Sequence, residues 1–306
     1  MKSILVLLLA ILSFSSIAGQ GHEEKKWCRI NCSPDIHKEN TKLIYDQILE
    51  ESTKERLKTF DSLRFPLRIV YVSQEETPIT DETHEELELA VTHLNYAFKN
   101  TRLWFNIDQV IGMTSDLYLE DLSNNSFNIY DQFSNDNDLD SLITIYVLDH
   151  AHEFCRVTET SISCSRTGGF SYVLSSRANN IVLSRFDLIN PKIVAHEFGH
   201  FFGLYHPFEQ SLFGKDTFVE EQCNTTGDLI CDTPPDPGAV FEIYVNYSTC
   251  EMQGYKDEHD NEYKPLLQNY MSYYKPCYLK EYTFTPQQEM VLQLSSRLAI
   301  RKKLSR

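Results

Sequence analysis

Between positions 196 and 206 the chain reads His196-Glu197-Phe198-Gly199-His200-Phe201-Phe202-Gly203-Leu204-Tyr205-His206. Histidines four residues apart lie one turn apart on the same face of a helix. Their imidazoles can then both reach one metal ion at the distance of about 2.0–2.1 Å typical of Zn–N bonds. Glu197 sits beside the first of them, slightly round the helix, where its carboxylate reaches a water on the metal without taking a coordination position. Gly203 can adopt positive φ and end the helix in a sharp turn, which returns His206 to the metal from another direction. Three histidines leave a position for water and substrate, the open arrangement of a catalytic zinc site. One zinc per chain is therefore the expected cofactor, with Glu197 as general base toward an attacking water. A bare pair of histidines would say little, but at this composition the chance occurrence of the whole spacing is well below roughly one in a thousand.

Several elements must position these groups. Asn190-Pro191 announces the central helix, Asn as cap and Pro at the first helical position. Ile193, Val194, Phe198, Phe201 and Phe202 can pack its remaining faces into a core. Upstream, residues 65–72 read as a strand, and Thr80 to Phe98 as a helix with Leu87, Ala90, Val91, Leu94, Ala97 and Phe98 at helical spacing. Strands follow at Leu103 to Ile107 and Leu142 to Val147. Two more, Gly169 to Leu174 and Asn180 to Arg185, are candidates for a cleft rim where extended substrate pairs as an added strand. Asp121 to Asp140 is polar enough for a surface loop, either a solvated insertion or a calcium loop. From His206 to about Pro265 the chain is rich in Pro, Gly, Asn and Asp and reads as irregular. Thr285-Pro286-Gln287-Gln288 is a capping box that opens the last helix.

The 306 residues carry a formal charge of -16, so a nucleic acid partner is excluded for want of a basic stripe. The short cluster Arg301-Lys302-Lys303 reads instead as a solvated helix end, its cations set against the dipole. Residues 1–18 read as a signal peptide, with Lys2, an apolar run from Ile4 to Leu12 and small residues at the cleavage positions; a membrane anchor is the alternative. No other stretch approaches 18 apolar residues, so the mature chain should be secreted, extracellular and unanchored. Residues 19–62 are a pro-segment or a simple extension of the domain, which covers 63–306.

Eight cysteines in an exported chain read first as disulfides. Cys250 should pair with Cys277, because a loop bearing part of the site needs fixing. Cys155 with Cys164, and Cys223 with Cys231, would close short loops. Parity then leaves Cys28 and Cys32, which either bond each other or offer a thiolate that silences the zinc until the segment is cleaved. Asn31, Asn124, Asn224 and Asn246 stand in glycosylation sequons.

The extended histidine pattern resembles the metzincin clan of zinc peptidases. Asn269-Tyr270-Met271-Ser272-Tyr273 is similar to the methionine turn of that clan. Leu204-Tyr205-His206, Gly227-Asp228 with Asp232-Thr233-Pro234, and Cys277 followed by Phe284-Thr285-Pro286-Gln287 are similar to the pappalysin (ulilysin-like, cytophagalysin) family. The resemblance runs from about Phe65 to Arg306 and is densest from Pro191 onward. It implies an α/β (α+β) fold: a twisted mixed sheet, an active-site helix, and a mostly irregular and helical C-terminal subdomain with the methionine turn. It implies that His196, His200 and His206 hold zinc, that Met271 floors the site, and that Tyr273 stabilises the transition state. Asp228, Asp232 and Thr233 match a stretch associated with calcium; hydrogen-bonded turn acids are the other reading. The expected activity is hydrolysis of protein or peptide substrates, and a secreted binding protein that keeps the fold without turnover is the alternative. Family members that prefer a basic residue after the scissile bond carry an acid just before the cysteine that follows the methionine turn. Here Lys275-Pro276 holds that place, so the preference is not carried over.

Overall fold

The computed structural model describes residues 60–73, 75, 79–114, 137–148, 152–157, 162–174, 179–210, 214–219, 222–277 and 280–306, with 152–157 and 162–167 described through their backbone. The expected signal peptide, the pro-segment up to residue 59 with Cys28 and Cys32, the sequons at Asn31 and Asn124, and most of the 121–140 loop lie outside these residues.

Strand β1 (Leu63–Ser73) leads into helix α1 (Asp81–Ala97), then β2 (Leu103–Thr114) and β3 (Ile143–Leu148). A hairpin of β4 (His152–Val157) and β5 (Ile162–Thr167) precedes β6 (Gly169–Ser171), β7 (Asn180–Ser184) and helix α2 (Pro191–Phe201). One sheet is ordered β2-β1-β3-β7-β6. Its first four strands run parallel and β6 antiparallel to β7, which makes the sheet mixed. Strands β3 and β7 are buried at every position, as parallel strands covered on both faces must be. Strand β2 instead alternates buried and accessible residues along much of its length, the mark of an edge.

The main core lies between the sheet and the helices. Phe65 of β1, Phe105 of β2, Phe98 after α1, and Phe198 and Phe202 of the α2 region interlock there. Ring centroids stand 4.9 Å apart for Phe105 and Phe198, and 5.2 Å for Phe65 and Phe202. The angles are edge-to-face, the arrangement aromatic quadrupoles favour. Phe284 closes the cluster against Phe98 at 5.2 Å, so the C-terminal part shares one core with the sheet.

Beyond α2 regular structure is sparse, as the composition predicts. A 3-10 helix (Ala239–Tyr244), paired β8 (Val245–Asn246) and β9 (Glu251–Met252), helix α3 (Pro286–Ser295) and a short α4 (Ala299–Lys302) follow. Both halves of the capping box form at α3: Thr285 Oγ1 accepts from Gln288 N and Gln288 Oε1 accepts from Thr285 N.

Four expectations change. The strand expected at 103–107 continues to Thr114, because β1 pairs with it across a bulge at Leu67 and Arg68. The strand expected at 169–174 stops at Ser171. The β4–β5 hairpin has no counterpart in the sequence reading; its register sets Cys155 opposite Cys164. Arg301 is not a solvated helix end. It is fully buried, with its guanidinium 3.7 Å from the Phe201 ring centroid and Nε donating to the Phe201 carbonyl at 3.0 Å. A cation at the last turn of α2 meets the negative pole of that helix.

Candidate active site

Helix α2 starts where Asn190 Oδ1 accepts from Lys192 N at 3.1 Å, with Pro191 at the first position. Every residue from Ile193 to Phe201 is buried. The phenylalanines face the core, and His196 and His200 meet His206. Gly203 makes the return with φ of +106°, and a Cβ there would meet the Leu174 side chain at 2.8 Å.

The three Nε2 atoms stand 3.0, 3.1 and 3.2 Å from one another. Ligands of a tetrahedral zinc at its usual bond length are separated by about 3.3 Å. His196 Nδ1 lies 2.7 Å from the Tyr270 carbonyl and His200 Nδ1 2.7 Å from the Leu204 carbonyl. A carbonyl only accepts, so each Nδ1 carries the proton and each facing Nε2 offers a lone pair. Lone pairs held this close repel unless a cation sits among them. Burial, above all other causes, pushes the three imidazoles below their ordinary range, His200 to about 4. They are thus neutral, as ligation needs. The donor set fits zinc. Among the described residues it is the one group of three or more His, Cys, Asp or Glu side chains close enough to share an ion.

Glu197 is buried and lines the same cleft as His196. Strand β6 passes beside it: a Cβ on Gly169 would come within 2.9 Å of Glu197 Cγ. Met271, fully buried, lies under α2, where a Cβ on Gly199 would run into its Sδ. Gly199, a free position in the motif, is therefore set by Met271. Tyr273 is partly accessible, its ring centroid 4.7 Å from that of His206 and 5.6 Å from that of His196. Phe208, which the sequence reading passed over, stacks flat on His206 at 4.7 Å and 7°.

The methionine turn is held from both sides. Asn269 Oδ1 accepts from Met271 N at 2.9 Å, and the Asn269 amide exchanges hydrogen bonds with the Gln288 amide. Gln288 is the same residue that closes the α3 capping box. On the other side Asp236 accepts from Tyr274 Oη at 2.7 Å, Gly238 N at 2.8 Å and Ser272 Oγ at 3.2 Å. Burial raises the Asp236 carboxyl to about 6. Its one sequence signal is an acid set between prolines in Pro234-Pro235-Asp236-Pro237. Disulfides join Cys223 to Cys231 and Cys250 to Cys277, with Cα atoms 4.9 and 5.6 Å apart.

The residues matched to calcium are brought together only in part. Asp228 is buried and accepts from Ile230 N at 3.1 Å and Thr233 Oγ1 at 2.9 Å. Asp232 Oδ2 instead accepts from Gln287 N at 2.9 Å, at the start of α3. Burial, helped by the carboxylates of Asp216 and Asp232, raises Asp228 well above the usual range. Asp216 is itself raised to about 6, again by burial.

A cleft of about 140 Å³ runs between the first half of α2 and the segment after the methionine turn. Lys192, Ile193, His196, Glu197, Tyr273 and Tyr282 are among its walls. No helix of the described residues is long and apolar enough to cross a membrane.

Two histidines on a buried helix, a third returned by a glycine turn and a methionine beneath them form a metzincin-type metal site. Residues 183–295 match the peptidase M43 family model, described as pregnancy-associated plasma protein-A. It is 33% identical over 101 residues to an extracellular metalloprotease of Pyricularia oryzae, covering 33% of this chain and 28% of that one. It is 33% identical over 103 residues to an extracellular metalloprotease of Arthroderma gypseum, covering 34% of this chain and 29% of that one. The chain thus spans less than a third of the length of the curated relatives it matches. A solved chaperone–substrate complex is similar at 13% identity with a TM-score of 0.36, over 79% of this chain and 35% of that one, a likeness that says nothing about this fold.

Proposed function

We propose that this protein is a secreted zinc endopeptidase that hydrolyses peptide bonds of extracellular proteins with Glu197 as general base. The observation that carries the reading is the convergence of three buried imidazole Nε2 atoms at 3.0–3.2 Å beside the buried Glu197 carboxyl. His196, His200 and His206 would hold the ion. Zinc, when bound, supplies a Lewis acid that lowers the pKa of a coordinated water. Glu197 takes the proton from the attacking water and later delivers it to the leaving amine. Tyr273 presents a neutral O–H donor to the developing oxyanion. Strand β6, an outer strand of the sheet beside Glu197, offers an edge on which extended substrate can pair.

Purified protein should carry about one zinc per chain. Glu197→Ala should keep that zinc and lose peptide hydrolysis by several orders of magnitude. Near-normal proteolysis by this variant would remove Glu197 as the base; zinc-loaded parent protein that cleaves no peptide would favour a silent binding protein. Residues 19–62 are read as a pro-segment. Protein starting at Gly19 should be inactive and gain activity on cleavage between roughly Lys38 and Arg64, and full activity before cleavage would remove that role.

Calcium at Asp228, Asp232 and Thr233 is the finer part of the cofactor reading. The buried Asp228 carboxyl, crowded by two more acids, is an oxygen site that a hard cation would stabilise. Added calcium should raise the melting temperature by linkage, and Asp228→Ala should abolish the rise while zinc stays bound. A parent protein indifferent to calcium would leave these residues as turn acids.

A further inference from the structure

The cleft beside the histidines holds a cation that the proposed reaction does not use. Lys192 lies one helical turn before His196 and lines the cleft together with Ile193, Tyr274, Pro276 and Tyr282. Its Nζ donates to the Tyr274 carbonyl and sits 4.7 Å from the Tyr282 ring centroid. Tyr282 Oη donates to the same carbonyl at 3.2 Å. Both partners of the ammonium are therefore cleft walls, and both are neutral.

Among the described residues no carboxylate lies within ion-pair distance of Lys192. Glu242, whose field does reach it, is engaged by Lys275 Nζ at 3.1 Å and by the Tyr247 hydroxyl. Burial accordingly draws the Lys192 ammonium down to about 7, with Glu242 opposing. An ammonium has three donors, and neutral partners compensate a desolvated charge far less than a carboxylate does. The rest of the wall is aromatic and aliphatic, suited to a methylene stem. A volume of about 140 Å³ is close to that of a cavity that accepts benzene, so it takes one side chain.

We propose that this cleft selects substrates with a carboxylate side chain, glutamate or aspartate, on a residue next to the scissile bond, and that Lys192 is the residue that selects it. The proposal rests on the peptidase reading above. The same chemistry is offered by the C-terminal carboxylate of a short peptide, so the test separates the two sources.

The test uses mature zinc-loaded protein and peptides that differ at one residue beside the cleaved bond: Glu, Gln, Leu or Lys. Each is made with a free and with an amidated C-terminus. The Glu peptide should exceed the Gln peptide in kcat/KM by about tenfold or more, whichever terminus it carries. Lys192→Met should bring the two within about twofold, Lys192→Arg should restore the difference, and Lys192→Glu should turn the preference toward Lys. Zinc content of each variant separates lost selectivity from lost fold. Calorimetric binding of the cleavage fragments bearing Glu or Gln gives a second reading that needs no turnover, and should show the same order. Equal rates for Glu and Gln, or an advantage that survives Lys192→Met, would overturn the proposal. A gain that follows the free terminus rather than the side chain would overturn it too. Cleavage of the Leu peptide in those cases leaves the peptidase reading standing, whereas cleavage of no peptide removes both.

Discussion

Helix α2 and the stretch from His206 to Thr285 both deliver side chains to one metal site, and they are held in different ways. Helix α2 is buried at every position from Ile193 to Phe201, with Phe198 locked among Phe98 and Phe105. Its histidines are placed by periodicity: when the apolar face packs, the ligand face has one direction left. Residues 206–285 have no such period. Their regular structure, among the described residues, is one six-residue 3-10 helix and strands of two residues. Met271 and Tyr273 are placed there by discrete pins: two disulfides, the buried Asp236 carboxyl and the Asn269–Gln288 amide pair. Burial spread over a helix tolerates the loss of one contact gradually, whereas a pinned loop depends on each pin.

Four measurements would break or sharpen this contrast. Phe198→Ala should have the largest effect, about 3–5 kcal/mol of stability. It should appear as a single cooperative loss of sheet and zinc site in thermal unfolding, because the residue belongs to the shared core. Replacing Cys250 and Cys277 by Ala should cost about 3–4 kcal/mol for a separation of 27 residues. Limited proteolysis should then cut within 206–285 while β1 and β3 keep their hydrogen-exchange protection; uniform loss of protection would mean that the two regions are not separable.

The third measurement is a pH dependence. Burial holds the folded Asp236 carboxyl at about 6, above the roughly 3.9 of an unfolded chain. The folded state therefore binds this proton more tightly. That contribution to stability is full below about pH 4 and is lost as pH rises through about 6, up to about 3 kcal/mol in all. Asp236→Asn should remove this slope, read as the difference in unfolding free energy between parent and variant from pH 4 to 7. The smallest effect is expected from Gly199→Ala. Its methyl meets Met271 Sδ, an overpacking worth about 1–3 kcal/mol, and zinc affinity measured by chelator competition should fall with it.

Much of α2 is legible in the sequence. The Asn190 cap, the Pro191 start, the turn at Gly203 and the spacing of the histidines all rest on bonds between residues a few positions apart, where covalent geometry sets the outcome. The capping box at Thr285 and Gln288 belongs to the same kind. The pairing of Cys250 with Cys277 was readable for another reason, since an irregular loop carrying part of a site needs a fixed end. The β4–β5 hairpin was not legible. Residues 152–167 form their own two-stranded ladder, and no continuous apolar run marks them.

The sequence by itself determined which donors exist, in what order, and how helical spacing lets two of them share an ion. Tertiary structure decided which charged groups lose their water. Arg301 and Lys302 are neighbours in one basic cluster, yet Arg301 is buried over Phe201 and Lys302 is exposed. Lys192 is an ordinary helix residue until Tyr274 and Tyr282 close over its ammonium, and Asp236 an ordinary turn acid until Ser272 and Tyr274 reach it from 36 and 38 residues away. Spacing is a property of the chain and survives unfolding. Desolvation is a property of whatever packs on top, and distant segments meet only when the whole core forms.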